Sequence, residues 1–396
     1  MELVKKKEDC CGCRTCEKVC PKDAIRMEED LCGFLYPKID PDKCVDCGLC
    51  LQKCAFQSGY QKRKEYDPFY AYGVRHKKEA VYMDSRSGGV FTALSDHILR
   101  RSGVVYGAGP DREKGIFYIR HEEADTEEGR NRFRGSKYVQ SDLNDVFPEV
   151  KKRLDEGRTV LFTGTGCQVG ALYAYLPRGY DNLYTLDLVC YGVMSQKLWV
   201  DFLHMREKEK GGKVETAEFR DKKTCGWKAH RETVVIDGKP YTTRIFAKLF
   251  GGKWIRPSCF SCIYTNKERV GDITLADFWG HEDAIPGMWD DDKGISLILV
   301  NTSRGRELWE AAKDEVDYVD VTTYPFRHSR MRTPTKKPDT YDAFWMDYEK
   351  EGFAFCAEKY AGHKMKARGG GGPEREEGLA RKFTPYRGRT GTRSGV

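Results

Sequence analysis

The chain has no long apolar run. Leu297-Ile298-Leu299-Val300 is typical of the longest, far short of the roughly 18 apolar residues of a membrane span, so no membrane-spanning helix is expected. The opening residues, Met-Glu-Leu-Val-Lys-Lys-Lys-Glu-Asp-Cys, lack the apolar stretch of a signal peptide, which predicts a cytoplasmic protein. No Gly-x-Gly-x-x-Gly fingerprint follows a strand pattern, so any dinucleotide must be held in some other way. Apolar residues also thin out at the C-terminus. Residues 368–396 are Gly-rich and carry seven Lys/Arg against three Glu, so +4 of the net charge of +7 lies there. That composition predicts a disordered basic tail over 366–396; apart from it, nothing points to nucleic acid.

Cysteine, by contrast, is abundant: 16 residues in 396. In a chain read as cytosolic this density argues for metal rather than disulfides. Cys10-x2-Cys13-x2-Cys16-x3-Cys20-Pro21 and Cys44-x2-Cys47-x2-Cys50-x3-Cys54 are two complete runs of the two-cluster ferredoxin pattern. In that pattern the fourth cysteine of each run ligates the other cluster. The expected ligand sets for two [4Fe–4S] clusters are therefore Cys10, Cys13, Cys16 and Cys54, and Cys44, Cys47, Cys50 and Cys20. Two intervening residues let a tight loop point three thiolates at one cube, and the three-residue step carries the chain to the next. Each run precedes a short stretch that can pair as a strand, such as Ala24 to Met27. Four-cysteine zinc sites also use C-x2-C pairs, but three close cysteines plus a fourth, twice over, fit cubanes better. Cys11 and Cys32 fall outside the pattern and are read as non-ligands. The module spans 1–64 and makes the protein a one-electron carrier, with ferredoxin or another iron–sulfur protein as its redox partner.

From about Ala71 strands and helices alternate. Strands are predicted at 71–75, 104–107, 159–163, 183–189, 273–276 and 296–300, and helices at 89–101, 142–155, up to Leu176, and 196–208. This predicts a mixed α/β domain in two parts, 70–160 and 161–345. Three segments have the composition of a binding site. Ser85-Arg86-Ser87-Gly88-Gly89 precedes a helix and suits an anion such as a pyrophosphate; a plain helix cap is the alternative. Arg134-Gly135-Ser136-Lys137-Tyr138-Val139-Gln140 gathers charge and donors, as a surface loop also would. Phe162-Thr163-Gly164-Thr165-Gly166-Cys167-Gln168 is a strand-to-helix turn, where ligands of α/β sheets bind. Cys167 and Cys190 end strands that can be neighbours, and Cys259-x2-Cys262 can complete a third four-thiolate site. The alternative is buried apolar cysteines and one reactive thiol. His76, His97 and His281 have no identifiable partner and are read as surface or packing residues.

These residues resemble a known family. Ser85 to Val90, Arg134 to Ser141, Leu161 to Val169, Asp187 to Val193, Arg256 to Cys262 and Asp272 to Gly280 are similar to the coenzyme F420 hydrogenase/dehydrogenase beta-subunit family, including its fused ferredoxin module. The likeness runs from about 8 to 330. It implies FAD and a third [4Fe–4S] cluster on Cys167, Cys190, Cys259 and Cys262, in an iron–sulfur flavin-dependent oxidoreductase that exchanges a hydride with a carrier or substrate. The flavin candidates are Ser87, Gly88, Gly89, Gly135, Ser136, Lys137, Thr163, Gly164 and Gln168. Lys137 is expected to place a positive charge near the flavin, and Asp277 to orient a flavin or substrate group or else to cap its strand. An electron-transfer subunit of a larger hydrogenase or dehydrogenase complex, with no substrate of its own, is the alternative function. The family usually has Thr-Pro-Cys-Gln where this chain has Thr165-Gly166-Cys167-Gln168, which predicts a looser turn or an altered cluster.

Overall fold

The computed structural model describes residues 3–57, 70–249, 252–324 and 328–364; the expected tail therefore lies outside the described residues. Their strands are β1 (Ile25–Glu29), β2 (Leu35–Ile39), β3 (Tyr70–His76), β4 (Val104–Asp111), β5 (Gly115–Ala124), β6 (Val160–Thr165), β7 (Leu183–Leu188), β8 (Val214–Glu218), β9 (Glu232–Ile236), β10 (Lys239–Thr243), β11 (Ile273–Asp277), β12 (Ser296–Val300) and β13 (Val316–Asp320). Eight of them form one mixed sheet in the order β13-β3-β12-β11-β7-β6-β4-β5. Its centre, β4-β6-β7-β11, is parallel. β12 and β5 run antiparallel to their neighbours.

Parallel strands are buried on both faces, so they read as continuous apolar runs. Val104-Val105-Tyr106 and Val160-Leu161-Phe162 are fully buried. Val104, Tyr106, Val160 and Phe162 turn to the helices Val146–Asp155 and Gly166–Tyr175. Val105 and Leu161 turn the other way, to the helices Val90–Leu99 and Ser303–Ala312. The long helix Gln196–Lys210 anchors a third core with the β10-β9-β8 sheet and the helices Tyr341–Glu351 and Phe353–Ala361. That core is aromatic: Trp199, Phe202, Phe246, Phe344 and Trp345 belong to it, and so does Phe34 from the N-terminal module. The packed chain therefore continues past the expected boundary at 345, because Tyr348, Phe353 and Cys356 close this core.

The strand expected after the first cysteine run is β1, and it pairs with β2, which also lies between the runs; after the second run only residues up to 57 are described before 70. One expectation needs correction. The helix predicted from Asp142 begins at Val146. Asp142 is instead held by Arg14, whose Nε donates to Oδ1 at 2.6 Å, and by Tyr118 at 2.9 Å. These bonds draw it out of helical geometry toward the N-terminal module.

Candidate functional site

The two cysteine runs fold alike. Gly12 and Arg14 in the first, and Asp46 and Gly48 in the second, occupy the same offsets, and all four have positive φ. The repeat is thus one backbone turn used twice, with three thiols on its inner side. Cys16 faces Cys13, Cys10 and Cys54, while Cys20, Cys44, Cys47 and Cys50 line one small cavity. The fourth cysteine of each run therefore stands with the other run's three. Backbone amides already point at sulfur: Gly12 N donates to Cys10 Sγ and Ala24 N to Cys20 Sγ, each at 3.3 Å. Burial, and then the neighbouring thiols, push Cys16 well above an ordinary thiol pKa. A metal cluster removes this frustration by taking thiolates as ligands, so the donor set fits [4Fe–4S]. Among the described residues no three His, Cys, Asp or Glu side chains are placed to hold a single ion.

The third quartet also assembles. β6 and β7 are parallel neighbours. Cys167 stands in the first turn of the helix Gly166–Tyr175 and Cys190 just beyond β7. Cys259 lies in the short turn Pro257–Ser261, and Cys262 follows it. All four line one cavity. Burial, then Cys167 and Cys262, push the Cys190 thiol up to about 12. The 259–264 loop is pinned by buried Arg269, which donates to Asp187 Oδ2 at 2.9 Å, to Leu188 O at 2.9 Å and to Tyr264 O at 2.8 Å. Cys11, read as a non-ligand, lies on the wall of this cavity with Cys13 and Cys167 beside it. Cys32 packs against the aromatic core instead.

Gly166 does not leave a loose turn. Thr165 and Gln168 form a complete capping box across it. What the missing side chain provides is space: a Cβ on Gly166 would meet the Tyr264 Cβ at 3.0 Å.

Beside the thiol cavity lies a second one of about 340 Å3. It takes in all three Gly/Ser-rich segments, with Ser87, Gly89, Gly135, Ser136, Lys137, Thr163, Gly164 and Gln168 among its lining residues. Gly88 is set back, its N–H donating to Ser296 Oγ at 2.9 Å. The two cavities share Thr165, Gln168, Leu188 and residues 190–193, so Cys190 belongs to both.

Several of the candidate side chains lining the cavity also hold its walls together. Thr163 Oγ1 donates to Tyr106 O at 2.9 Å. Gln168 Oε1 accepts from Thr165 N, and its Nε2 donates to Ser141 Oγ, both at 3.0 Å. Ser141 Oγ in turn is 2.8 Å from His121 Nδ1, and His121 Nε2 is 2.8 Å from Thr163 O. A carbonyl only accepts, so Nε2 carries the proton and Nδ1 accepts from Ser141. Burial keeps this imidazole neutral, pulling its pKa to about 4. Lys137 Nζ donates to the carbonyls of Arg132 and Arg134, at 3.0 and 2.6 Å. Asp277 accepts from Ser87 Oγ and from Arg220 Nη1. Burial raises its pKa, but Arg86 and Arg220 more than offset this and hold it low.

What remains open is cationic. Arg86 Nε and Nη1 and Arg220 Nε are buried and, among the described residues, donate no hydrogen bond. Arg220 lies over the ring of Trp279 at 5.3 Å, and Trp279 stacks on Trp227 at 4.5 Å. His230 stacks on the same ring. Arg220, Trp227 and His230 were missed from sequence because they come from segments without motif, and Trp279, although inside the Asp272 to Gly280 motif, was given no role there. His76 and His281 are buried packing residues, as expected.

Two stretches of the chain match known families. Residues 157–324 match the C terminus of the coenzyme F420 hydrogenase/dehydrogenase beta subunit, and residues 9–58 match the 4Fe-4S dicluster domain. Among curated relatives, the B component of a Na(+)-translocating ferredoxin:NAD(+) oxidoreductase complex from Acetobacterium woodii is 51% identical over 45 residues, 11% of this chain and 12% of that protein. "Ferredoxin 7Fe" from Hydrogenibacillus schlegelii is 39% identical over 57 residues, 14% of this chain and 67% of that one. A chain of the F420-reducing [NiFe] hydrogenase complex from Methanosarcina barkeri aligns with a TM-score of 0.44 at 18% identity, covering 73% of this chain and 89% of that one. No helix among the described residues is long and apolar enough to cross a membrane. The chain carries an N-terminal 4Fe-4S dicluster domain and, over residues 157–324, a region related to the C terminus of the coenzyme F420 hydrogenase/dehydrogenase beta subunit, which makes it an iron–sulfur electron-transfer protein related to that subunit.

Proposed function

We propose that this chain is an iron–sulfur flavoprotein oxidoreductase. It would hold FAD in the 340 Å3 cavity and three [4Fe–4S] clusters, the third on Cys167, Cys190, Cys259 and Cys262. The observation that carries this reading is the shared wall: Cys190 lines both the thiol cavity and the larger one. A bound flavin supplies the conversion between a two-electron hydride and single electrons.

The protein's own groups fit that role. Arg86 and Arg220 bring buried donors to an anion such as a pyrophosphate, and Asp277 keeps their two charges compensated before it arrives. The closed ring of Gln168, Ser141 and His121 holds the 134–141 segment against the strand-to-helix turn, so the cavity is preorganised. Neutral His121 neither donates nor takes a proton near pH 7. The half-exposed face of Trp279 offers a flat ring for a hydride carrier, of the coenzyme F420 type, or for a biosynthetic intermediate.

A second reading, an electron-transfer subunit without its own substrate, draws on the Acetobacterium woodii relative, whose name places it in a complex. The exposed Cys47 and Val45 beside the second cluster would then meet a partner.

The deciding experiment is anaerobic reconstitution of the full chain with iron, sulfide and FAD. About twelve iron atoms, three cubanes' worth, and one FAD per chain are expected. Cys190→Ser should remove about four of those irons and leave FAD in place. Absence of any FAD binding would refute the flavoprotein reading. Reduction of the isolated chain by a hydride carrier favours the enzyme; reduction only through a partner protein favours the subunit.

A further inference from the structure

Arg256 is among the most buried charged residues of the protein, 1% exposed. Its Nε donates to Cys10 O at 2.8 Å and its Nη2 to Leu35 O at 2.7 Å. Nη2 also lies 3.6 Å from Cys10 Sγ, and Nη1 donates to Gln140 Oε1 at 3.0 Å. The guanidinium sits over the Tyr36 ring at 4.4 Å and faces Phe34 at 5.5 Å. None of these hydrogen-bond partners is a carboxylate. The same side chain lines the cavity of Cys167, Cys190, Cys259 and Cys262. The groups of opposite sign that face it are Cys10 from the first quartet, Cys259 from the third, Cys11 between them, and Tyr36.

A buried cation is costly unless negative charge lies close by. Here no carboxylate hydrogen-bonds the guanidinium; the groups beside it that can carry negative charge are thiols of two cluster sites, Cys11 between them, and the Tyr36 hydroxyl. A four-thiolate cubane is net negative and gains one further negative charge on reduction. In a low-dielectric setting an adjacent fixed cation favours the added electron. The distal quartet is differently placed: Arg256 is not among the residues lining the cavity of Cys20, Cys44, Cys47 and Cys50, where the cationic residue is Lys22.

We propose that Arg256 is a positioning residue that raises the reduction potentials of the two clusters it lies between, the Cys10/Cys13/Cys16/Cys54 cluster and the Cys167/Cys190/Cys259/Cys262 cluster. Its charge is shared, so an electron on either site draws on the same cation. The inference rests on the reading that the third quartet holds a cluster. It gives the Arg256-Pro257-Ser258-Cys259 motif a role beyond ligation: one end supplies ligands and the other the charge that balances them. A guanidinium that only clamps the N-terminal module to the large domain would affect stability and iron content but not potentials.

The test is an EPR-monitored reductive titration of the full-length, anaerobically reconstituted protein, with iron content and melting temperature measured on each variant. In Arg256→Gln two of three one-electron midpoints should fall. Each reduction equilibrium constant should drop at least about tenfold, which is about 59 mV for one electron. The third midpoint, of the cluster on Cys20, Cys44, Cys47 and Cys50, should stay. Arg256→Lys keeps the charge and should hold all three within about threefold of wild type, or some 28 mV by the same constant. Should Arg256→Gln not fold, Gln140→Glu leaves Arg256 in place and sets a carboxylate against its Nη1; the same two midpoints should fall. Full iron loading with unmoved midpoints overturns the inference, as does an equal shift of all three. Wild-type protein with iron for only two clusters removes the third-cluster reading and the inference with it, and is seen before any variant is made.

Discussion

Lys137 spends its ammonium on two carbonyls of its own loop, and burial pulls its pKa down to about 7. A depressed lysine has a definite sign. Between about pH 7 and the unfolded value near 10.4 the unfolded chain binds the extra proton, so this residue's contribution to stability rises with pH across that window. An anionic ligand reverses the preference by stabilising the ammonium. FAD affinity should therefore weaken as pH rises through about 7, by roughly tenfold, the order of one charge-assisted hydrogen bond. Lys137→Met should bind FAD more weakly at pH 6 and show no such slope. Fluorescence titration of FAD across pH checks both. A slope that survives in Lys137→Met would assign it to another group, although His121 and His230, both held near 4, do not titrate there.

The helix Gly166–Tyr175 shows how one element serves two sites. Gly166 and Gly170 are one turn apart, so they share a face, and a side chain on either would run into Tyr264. At Gly170 the clash would be with the tyrosine hydroxyl and ring. That hydroxyl donates to Ala55 O at 2.9 Å, next to Cys54. The glycine face thus lets one ring link the third quartet's loop to the ferredoxin module. Gly170→Ala should cost roughly 1–3 kcal/mol, the usual penalty of overpacking, despite the higher helix propensity of alanine. Adding Tyr264→Phe should recover part of the loss, because contacting residues do not behave additively. Urea unfolding of the single and double variants reads this directly, and simple additivity would rule out the proposed contact.

Across the whole molecule, the ferredoxin module is built into the large domain rather than tethered to it. Thr15 Oγ1 reaches Ala171 O at 3.4 Å, Arg14 pairs with Asp142 at 2.6 Å, and Lys18 pairs with Asp145 at 2.7 Å. Phe34 meets Trp345 edge-on at 6.0 Å. Gly12 must be glycine, since its φ is +70° and a Cβ would press on Arg256 and Gln140 at 2.8 Å. Shared burial of this kind makes for cooperative unfolding. Calorimetry of the reconstituted protein should show one main transition, and stripping the iron with a chelator should lower it as a unit. Two well-separated transitions, with only the first sensitive to iron, would mean that the module folds independently.

The cysteine runs were legible from sequence because metal ligation within a short loop is local: three thiols two residues apart can only meet on one side of a turn. The strands β3, β4, β6, β7, β11 and β12 were legible because burial on both faces demands apolar runs. The third quartet was only suggested, since Cys167, Cys190 and the Cys259/Cys262 pair are far apart in the chain and meet only because β6 and β7 are parallel neighbours. The aromatic core of the C-terminal helices left no clear period. The burial of Arg256, Cys11, Arg86 and Arg220 could not be read, although Arg86 and Arg256 fall within segments that the sequence singles out. A lone arginine or cysteine has the same identity on a surface as in a core. Its function comes from the company it keeps: whether a carboxylate, a thiolate or nothing answers its charge. Local spacing determined the two cysteine quartets of the ferredoxin module. Long-range packing alone decided that a third thiol quartet and a larger cavity would share Cys190 in their walls, and that Arg256 would line the first of them.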